Sequence, residues 1–292
     1  MTDIASIDSQ CQLVSLRTTD RRVLHGALYR NGPGKSIASI LYLHGKGGNF
    51  YSGPGRFVPS LLQSRPIVHL SLNLRSHDLA YTRDDALYED FERGSTKADG
   101  GYWEDLDTGI EDIRAGVDFL LGLTNVPIFV VGHSSGGFYS ALYCAQDSRI
   151  AGQVLLSSVL DNKRSLPFWF PASRELEQAC GYAKQLVERG EGRTLIPLRR
   201  WYYAISAKSL LQRAAQPDGV WIDAVQRSRA ALLLAWGASE SRSALWDKAF
   251  DDLPNKRKWR LPVPGADHYY VGHEKEVAIG IAKFVSTITS AT

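Results

Sequence analysis

Several short runs of the chain are apolar at nearly every position. Ser39–Leu43, Ile67–Leu74, Ile128–Val131, Val154–Leu156 and Ala231–Trp236 are strand-sized; the first runs into His44-Gly45, and the third and fifth end just before Gly132 and Gly237. Runs of this length without alternation suit strands buried on both faces of a parallel sheet. Two earlier segments, Gln12–Thr19 and Leu24–Arg30, read as a hairpin around Asp20-Arg21-Arg22, and Asn31-Gly32-Pro33-Gly34 reads as a loop. Helical spacing falls between the strands. From Trp103 the apolar positions are 103, 106, 110, 113, 117, 120 and 121, one stripe, with Glu104, Asp105, Glu111, Asp112 and Asp118 opposite. Acid early in that helix suits its macrodipole, and Asn125-Val126-Pro127 ends it. A last helix places 277, 281, 284, 285 and 288 on one face. Strands alternating with helices predict an α/β fold with a mainly parallel sheet.

One interval breaks this rhythm. About 70 residues separate the Val154 and Ala231 strands, more than a crossover helix needs. Leu176, Ala179, Cys180, Ala183, Leu186 and Val187 form a helical stripe inside it, and Ser206–Ala215 is a second helical piece. The economical reading is a helical cap, 160–217, inserted into a core built from 1–159 and 218–292. An ordinary structural excursion is the alternative.

Composition narrows the class. The chain has 292 residues, 44% hydrophobic and 22% charged, enough to bury a large core. Its formal charge of +3 is too mild to point to nucleic acid. Three cysteines with no CxxC or Cys/His cluster argue against zinc or a disulfide framework. No run approaches the ~18 apolar residues of a membrane span. The first ten residues carry Asp3 and Asp8 and no apolar core of a signal peptide. A cytoplasmic globular protein is expected, acting on a small molecule, with no nucleic-acid partner and no membrane span.

The sharpest chemical feature is Phe129-Val130-Val131-Gly132-His133-Ser134-Ser135-Gly136-Gly137-Phe138. A strand enters G-x-S-x-G and leaves as a helix. The turn is tight enough to demand small flanking residues, and it lifts Ser134 above the sheet at a helix N-terminus, where developing negative charge is favoured. A Gly-rich packing turn is the bland alternative. The second feature is Leu43-His44-Gly45-Lys46-Gly47-Gly48-Asn49. Acyl transfer needs two N–H donors for a tetrahedral oxyanion, and Ser135 together with Lys46 or Gly47 are the candidates. A phosphate cradle is the rival, but no G-x-x-x-x-G-K-[ST] pattern is present.

Together these segments resemble the α/β-hydrolase superfamily over nearly the whole chain. The resemblance implies an α/β-hydrolase fold with a Ser-His-acid triad, no metal and no organic cofactor. Arg75-Ser76-His77-Asp78 resembles the superfamily's R-G-H-G loop but departs at Ser76 and Asp78, and implies nothing catalytic. The acid implied after the Ala231 strand is Glu240, in Gly237-Ala238-Ser239-Glu240 where relatives commonly carry Asp; Asp161 is the alternative. The base implied is His268, in Pro264-Gly265-Ala266-Asp267-His268, with His273 as the alternative. The expected activity is hydrolysis of a carboxylic ester or related acyl bond. C–C, thioester, lactone or amide hydrolysis, or a ligand-binding protein on the same fold, remain open.

The interval Leu160–Gln216 holds ten Lys/Arg against five Asp/Glu, interleaved with Phe168-Trp169-Phe170 and Trp201-Tyr202-Tyr203. Trp169, Trp201, Tyr202, Arg199 and Arg200 are candidates for lining a pocket for a flat or carboxylate-bearing substrate. Aromatics packing cap to core, with arginines on a solvated face, explain the same pattern.

Overall fold

The computed structural model describes residues 11–30, 34–82, 98–158, 162–199, 203–240 and 250–290. An eight-stranded sheet forms the centre. Its strands are β1 (Cys11–Arg17), β2 (Val23–Arg30), β3 (Ala38–Leu43), β4 (Ile67–Leu72), β5 (Ile128–His133), β6 (Ile150–Leu156), β7 (Ala231–Gly237) and β8 (Lys258–Val263). They lie in the order β1-β2-β4-β3-β5-β6-β7-β8. β1 and β2 pair antiparallel, as do β2 and β4; every other neighbouring pair is parallel. The hairpin expected around Asp20-Arg21-Arg22 is present, with Arg21 at φ 66°.

β3, β4 and β5 are buried at every position. This is why they read as continuous apolar runs. Their alternate side chains feed two cores. Ile40 and Tyr42 join Ile281, Phe284, Val285 and Ile288 of a C-terminal helix on one face, while Leu41 and Leu43 join Ile113, Val117 and Leu120 of an earlier helix on the other. The longer helices among the described residues are α1 (Leu106–Leu123), α2 (Ser135–Cys144), α3 (Ser173–Glu188), α4 (Ala207–Ala215), α5 (Val220–Arg227) and α6 (Glu274–Thr289). Each fully buried aliphatic side chain contributes roughly 1.5–3 kcal/mol by leaving water.

The stripe read from Trp103 begins as a helix only at Leu106. Asp105 caps α1, its side chain accepting from Asp107 N at 3.0 Å, and Gly101–Trp103 form a separate tight turn. β8 was not anticipated. It is an edge strand with mostly part-buried or exposed side chains, so its sequence carries no apolar run. α5 was not anticipated either, though Trp221, Ala224 and Val225 bury one face of it.

Between β6 and β7 the chain builds a core of its own. A short helical turn (Leu166–Trp169), α3, and α4 pack around Trp169, Ala183, Leu186, Ile196, Ile205 and Leu210. The interval is not purely helical, because Leu195–Pro197 and Ala204–Ser206 pair as an antiparallel ribbon. α4 docks on the chain just before α1. Ser209 Oγ donates to Glu104 O at 2.6 Å, Gln212 Nε2 donates to Asp105 Oδ1 at 3.0 Å, and Lys208 pairs with Asp105. Trp103 Nε1 in turn donates to Arg193 O at 2.9 Å. Among the described residues no helix is long and apolar enough to cross a membrane.

Candidate active site

β5 ends at His133 and α2 starts at Ser135, leaving Ser134 alone at the turn with φ 54° and ψ −121°. A non-glycine residue pays strain to hold that conformation. The turn is held in place by Ser134 N donating to Leu156 O at 2.9 Å and by the start of α2. Nothing larger than glycine fits two residues on. A methyl on Gly136 would lie 2.4 Å from His44 O and 2.5 Å from Leu43 O. The close approach of α2 to the end of β3 brings the 44–49 loop against the serine; a methyl on Gly45 would meet Ser134 Cβ at 2.9 Å. Ser135 occupies the first turn of α2, where backbone N–H groups have no acceptor within the helix.

The loop after β3 is fastened at several points. His44 is buried and kept neutral, its pKa pushed down to about 4 by burial. Its Nε2 accepts from Leu74 N at 3.1 Å, so its proton sits on Nδ1, 2.7 Å from Gly45 O. Gly48 O accepts from Asp78 N at 2.8 Å, and Asn49 Nδ2 donates to Asp78 Oδ1 at 3.0 Å. Arg75, in the same segment as Asp78, forks onto the buried Asp112 through Nε and a terminal nitrogen at 2.8 and 2.7 Å. That segment therefore braces the loop.

Glu240 follows β7 and His268 follows β8, as expected for neighbouring parallel strands. The two meet, with His268 Nδ1 2.8 Å from Glu240 Oε2. A carboxylate there accepts from Nδ1–H, which leaves the Nε2 lone pair as the imidazole's basic site. Burial raises the Glu240 carboxyl, but the hydrogen bonds from His268 and Ser157 outweigh it and hold the group below its ordinary range. Its other oxygen accepts from Gly237 N at 2.9 Å and from the Ser157 hydroxyl. Ser157 Oγ also stands 2.8 Å from the hydroxyl of the buried Tyr270. Sequence reasoning did not single out Ser157 or Tyr270. The one local signal was Tyr270's place two residues after His268.

His268 is tied to the serine turn through its main chain. His133 Nε2 lies 2.9 Å from His268 O, and the two imidazole centroids are 4.8 Å apart. The turns that carry Ser134, His268 and Glu240 thus lie at the C-terminal ends of β5, β8 and β7, with His133 next to Ser134 touching His268, and His268 touching Glu240. Such an arrangement can pass a proton from a hydroxyl to an imidazole steadied by a carboxylate. His273 is directed elsewhere, 3.7 Å from Glu276 on α6. Asp161 lies outside the described residues.

The candidates between β6 and β7 divide. Trp169 is 1% exposed, packed in the local core with the Arg213 guanidinium 5.0 Å above its ring. Arg199 pairs with Glu175 at 2.7 Å with its side chain 70% exposed, a solvated pair worth about 0–1 kcal/mol. Arg200, Trp201 and Tyr202 lie outside the described residues. Lys46 brings an unexpected contact. Its side chain runs inward, and Nζ donates to Glu104 Oε2 at 2.7 Å and to Gly101 O at 2.8 Å. Among the described residues no group of three or more His, Cys, Asp or Glu side chains is placed to hold a metal ion.

Known structures share this arrangement of chain. GrgF, an alpha/beta hydrolase from Penicillium sp. sh18, superposes with a TM-score of 0.72 at 14% identity, over 96% of this chain and 99% of that one. Est1E from Butyrivibrio proteoclasticus gives 0.65 at 17% identity, over 95% and 99%. An esterase from Pyrococcus furiosus gives 0.63 at 16% identity, over 95% and 91%. No curated protein matches the sequence. At these identities the likeness is one of fold. The sequence itself goes further: residues 40–279 match the profile of the alpha/beta hydrolase family, a span running from β3 into α6 and enclosing both the serine turn and the His268 loop, and the chain belongs to that family.

Proposed function

We propose that the protein hydrolyses a carboxylic ester, or a related acyl bond, of a small molecule, with Ser134 as nucleophile, His268 as base and Glu240 as its orienting acid. The observation that carries this reading is the 2.8 Å contact of His268 Nδ1 with Glu240, beside a serine held at φ 54° at the head of α2. Family membership supports a hydrolase, and one of the compared structures, that from Pyrococcus furiosus, is named as an esterase.

The steps follow from these positions. Ser134 Oγ attacks the carbonyl carbon as its proton passes to His268 Nε2. The resulting imidazolium is stabilised by Glu240. The tetrahedral oxyanion is received by the Ser135 N–H and by Lys46 or Gly47 N–H. The C–O bond to the alcohol breaks, and the alcohol leaves with the proton from His268. Water then attacks the acyl-serine by the same route, giving the acid and free Ser134. In this reading 160–217 is a cap over a core of 1–159 and 218–292, and no cofactor takes part.

Hydrolysis of p-nitrophenyl esters of increasing acyl length, with fluorophosphonate labelling and peptide mapping, tests the proposal. Turnover and a label on Ser134, both lost in Ser134→Ala, are expected. Turnover that survives the substitution overturns the mechanism. A chain that binds esters without turnover or labelling would be a ligand-binding protein instead.

A further inference from the structure

Three charged side chains that the mechanism above leaves unused meet in the interior between the 44–49 loop and the segment that follows β6. Glu104 Oε2 accepts from Lys46 Nζ at 2.7 Å and from a terminal nitrogen of Arg213 at 2.7 Å. The side chains of Lys46, Glu104 and Arg213 are 6%, 2% and 6% exposed. Each comes from a different part of the chain. Lys46 belongs to the loop after β3, Glu104 to the turn before α1, and Arg213 to the last turn of α4.

Arg213 is itself held firmly. Its guanidinium covers the Trp169 ring at 5.0 Å, and its other terminal nitrogen donates to Ser165 Oγ at 3.2 Å. The Glu104 main chain is held by the same helix, through Ser209 Oγ donating to its carbonyl at 2.6 Å. Lys46 is bound in turn to Gly101 O, and Gly101 N donates to Asp78 O at 2.8 Å, next to the Asp78 N–H that holds Gly48 O. The backbone around Lys46 is thus fixed from two sides, and one side runs through α4. Burial raises Glu104 and opposes its ionisation, yet Lys46 and Arg213 hold its carboxyl below the usual range.

Resting on the ester-hydrolase reading, we propose that Arg213 is a positioning residue for the reaction: through Glu104 it holds Lys46, and with it the loop N–H that receives the oxyanion, so the core is competent only while the β6–β7 insertion is docked. Arg213 touches no reacting atom. Its influence falls on the transition state, where the oxyanion forms, and not on substrate binding in the ground state.

The test compares wild type, Arg213→Met and Lys208→Ala, with folding checked by circular dichroism. Lys208 docks the same helix from an exposed position without touching Glu104. The readouts are kcat and KM on a p-nitrophenyl ester, and the affinity of an alkyl boronic acid, whose tetrahedral adduct occupies the oxyanion position. A misplaced loop donor costs about 10–100-fold. Arg213→Met is therefore expected to lower kcat and boronate affinity by about that factor with KM within about twofold, while Lys208→Ala changes neither. If Arg213→Met does not fold, Arg213→Gln, polar but two bonds too short to reach Glu104 from the same backbone position, carries the same expectation. A folded Arg213 variant with unchanged kcat, or with only KM raised, overturns the inference. Ser134-dependent turnover that ignores Arg213 sinks this proposal alone, whereas turnover that survives Ser134→Ala sinks the reading beneath it.

Discussion

His133 donates its Nε2–H to the main-chain carbonyl of His268 at 2.9 Å. The residue before the proposed nucleophile therefore holds the backbone of the proposed base, across 135 positions of sequence. Burial keeps the His133 ring neutral, its pKa pushed down to about 3, so it stays a fixed donor through the neutral range. The base is placed from both ends: Glu240 sets its ring and His133 its carbonyl.

Ser134→Ala should leave the fold intact and reduce ester turnover to the residual level that oxyanion binding supplies. Loss of a triad member elsewhere leaves about 10³–10⁴-fold over water. Ser134 is only part-buried at its turn and the change removes one atom, so the thermal midpoint should hold within about 2 °C. Steady-state kinetics and a thermal melt check both.

Glu240→Gln should lower kcat about 10²–10⁴-fold, because an amide can favour the wrong imidazole tautomer. Asp161→Asn should do far less. A reversed order of the two effects, in parallel kinetic assays, would move the acid to the end of β6.

Gly237→Ala tests the contact between the two turns. A methyl there would lie 2.4 Å from both Ala266 O and Asp267 O, backbone atoms that cannot swing aside. Either β7 or the turn carrying His268 must shift. The variant should lose about 1–3 kcal/mol, as overpacked sites do, and kcat should fall with it as His268 moves from Glu240. Urea unfolding and kcat measured on one preparation decide this; a stable, fully active variant contradicts the packing.

Stability should fall steeply on mild acidification. His44, His69 and His133 are buried, and burial pushes their pKa values down to about 4, 3 and 3. In the unfolded chain each titrates near 6.5. Between those values the unfolded state binds the extra protons. The stabilisation is thus complete above about pH 6.5 and is lost as pH falls. Each histidine adds a slope of roughly 1.4 kcal/mol per pH unit near pH 5. Glu240, a depressed carboxyl, acts in the same sense lower down, stabilising above about pH 4.3 and losing that as pH falls. His69 lies away from the proposed chemistry, stacked on Tyr42 in the sheet interior. His69→Phe should reduce the slope of unfolding free energy against pH by about one histidine's share, read from urea titrations between pH 6.5 and 4.5. An unchanged slope would show that His69 does not titrate on unfolding.

Most of the sheet could be read from the chain because burial on both faces leaves a local mark. β3, β4, β5 and β7 are apolar runs for that reason, and α1 and α6 show one stripe because only one side of each meets the sheet. The edge strand β8 has one neighbour and much exposed surface, so it carries no such mark.

The serine turn was legible for a related reason: its sterics act within five residues, and glycine at 132 and 136 is what those contacts demand. The resemblance to the α/β-hydrolase superfamily then pointed to Glu240 and His268 as the acid and base now proposed. What the sequence alone did not disclose are pairings across space. Ser157 reaches Glu240 over 83 positions, Lys46 reaches Glu104 over 58, and Arg213 reaches the same carboxylate over 109. Each of these residues is polar, and in sequence a polar residue bound for the interior looks like one bound for water. Only the folded chain, by removing water and bringing opposite charges to within 3 Å, decides which of them are structural.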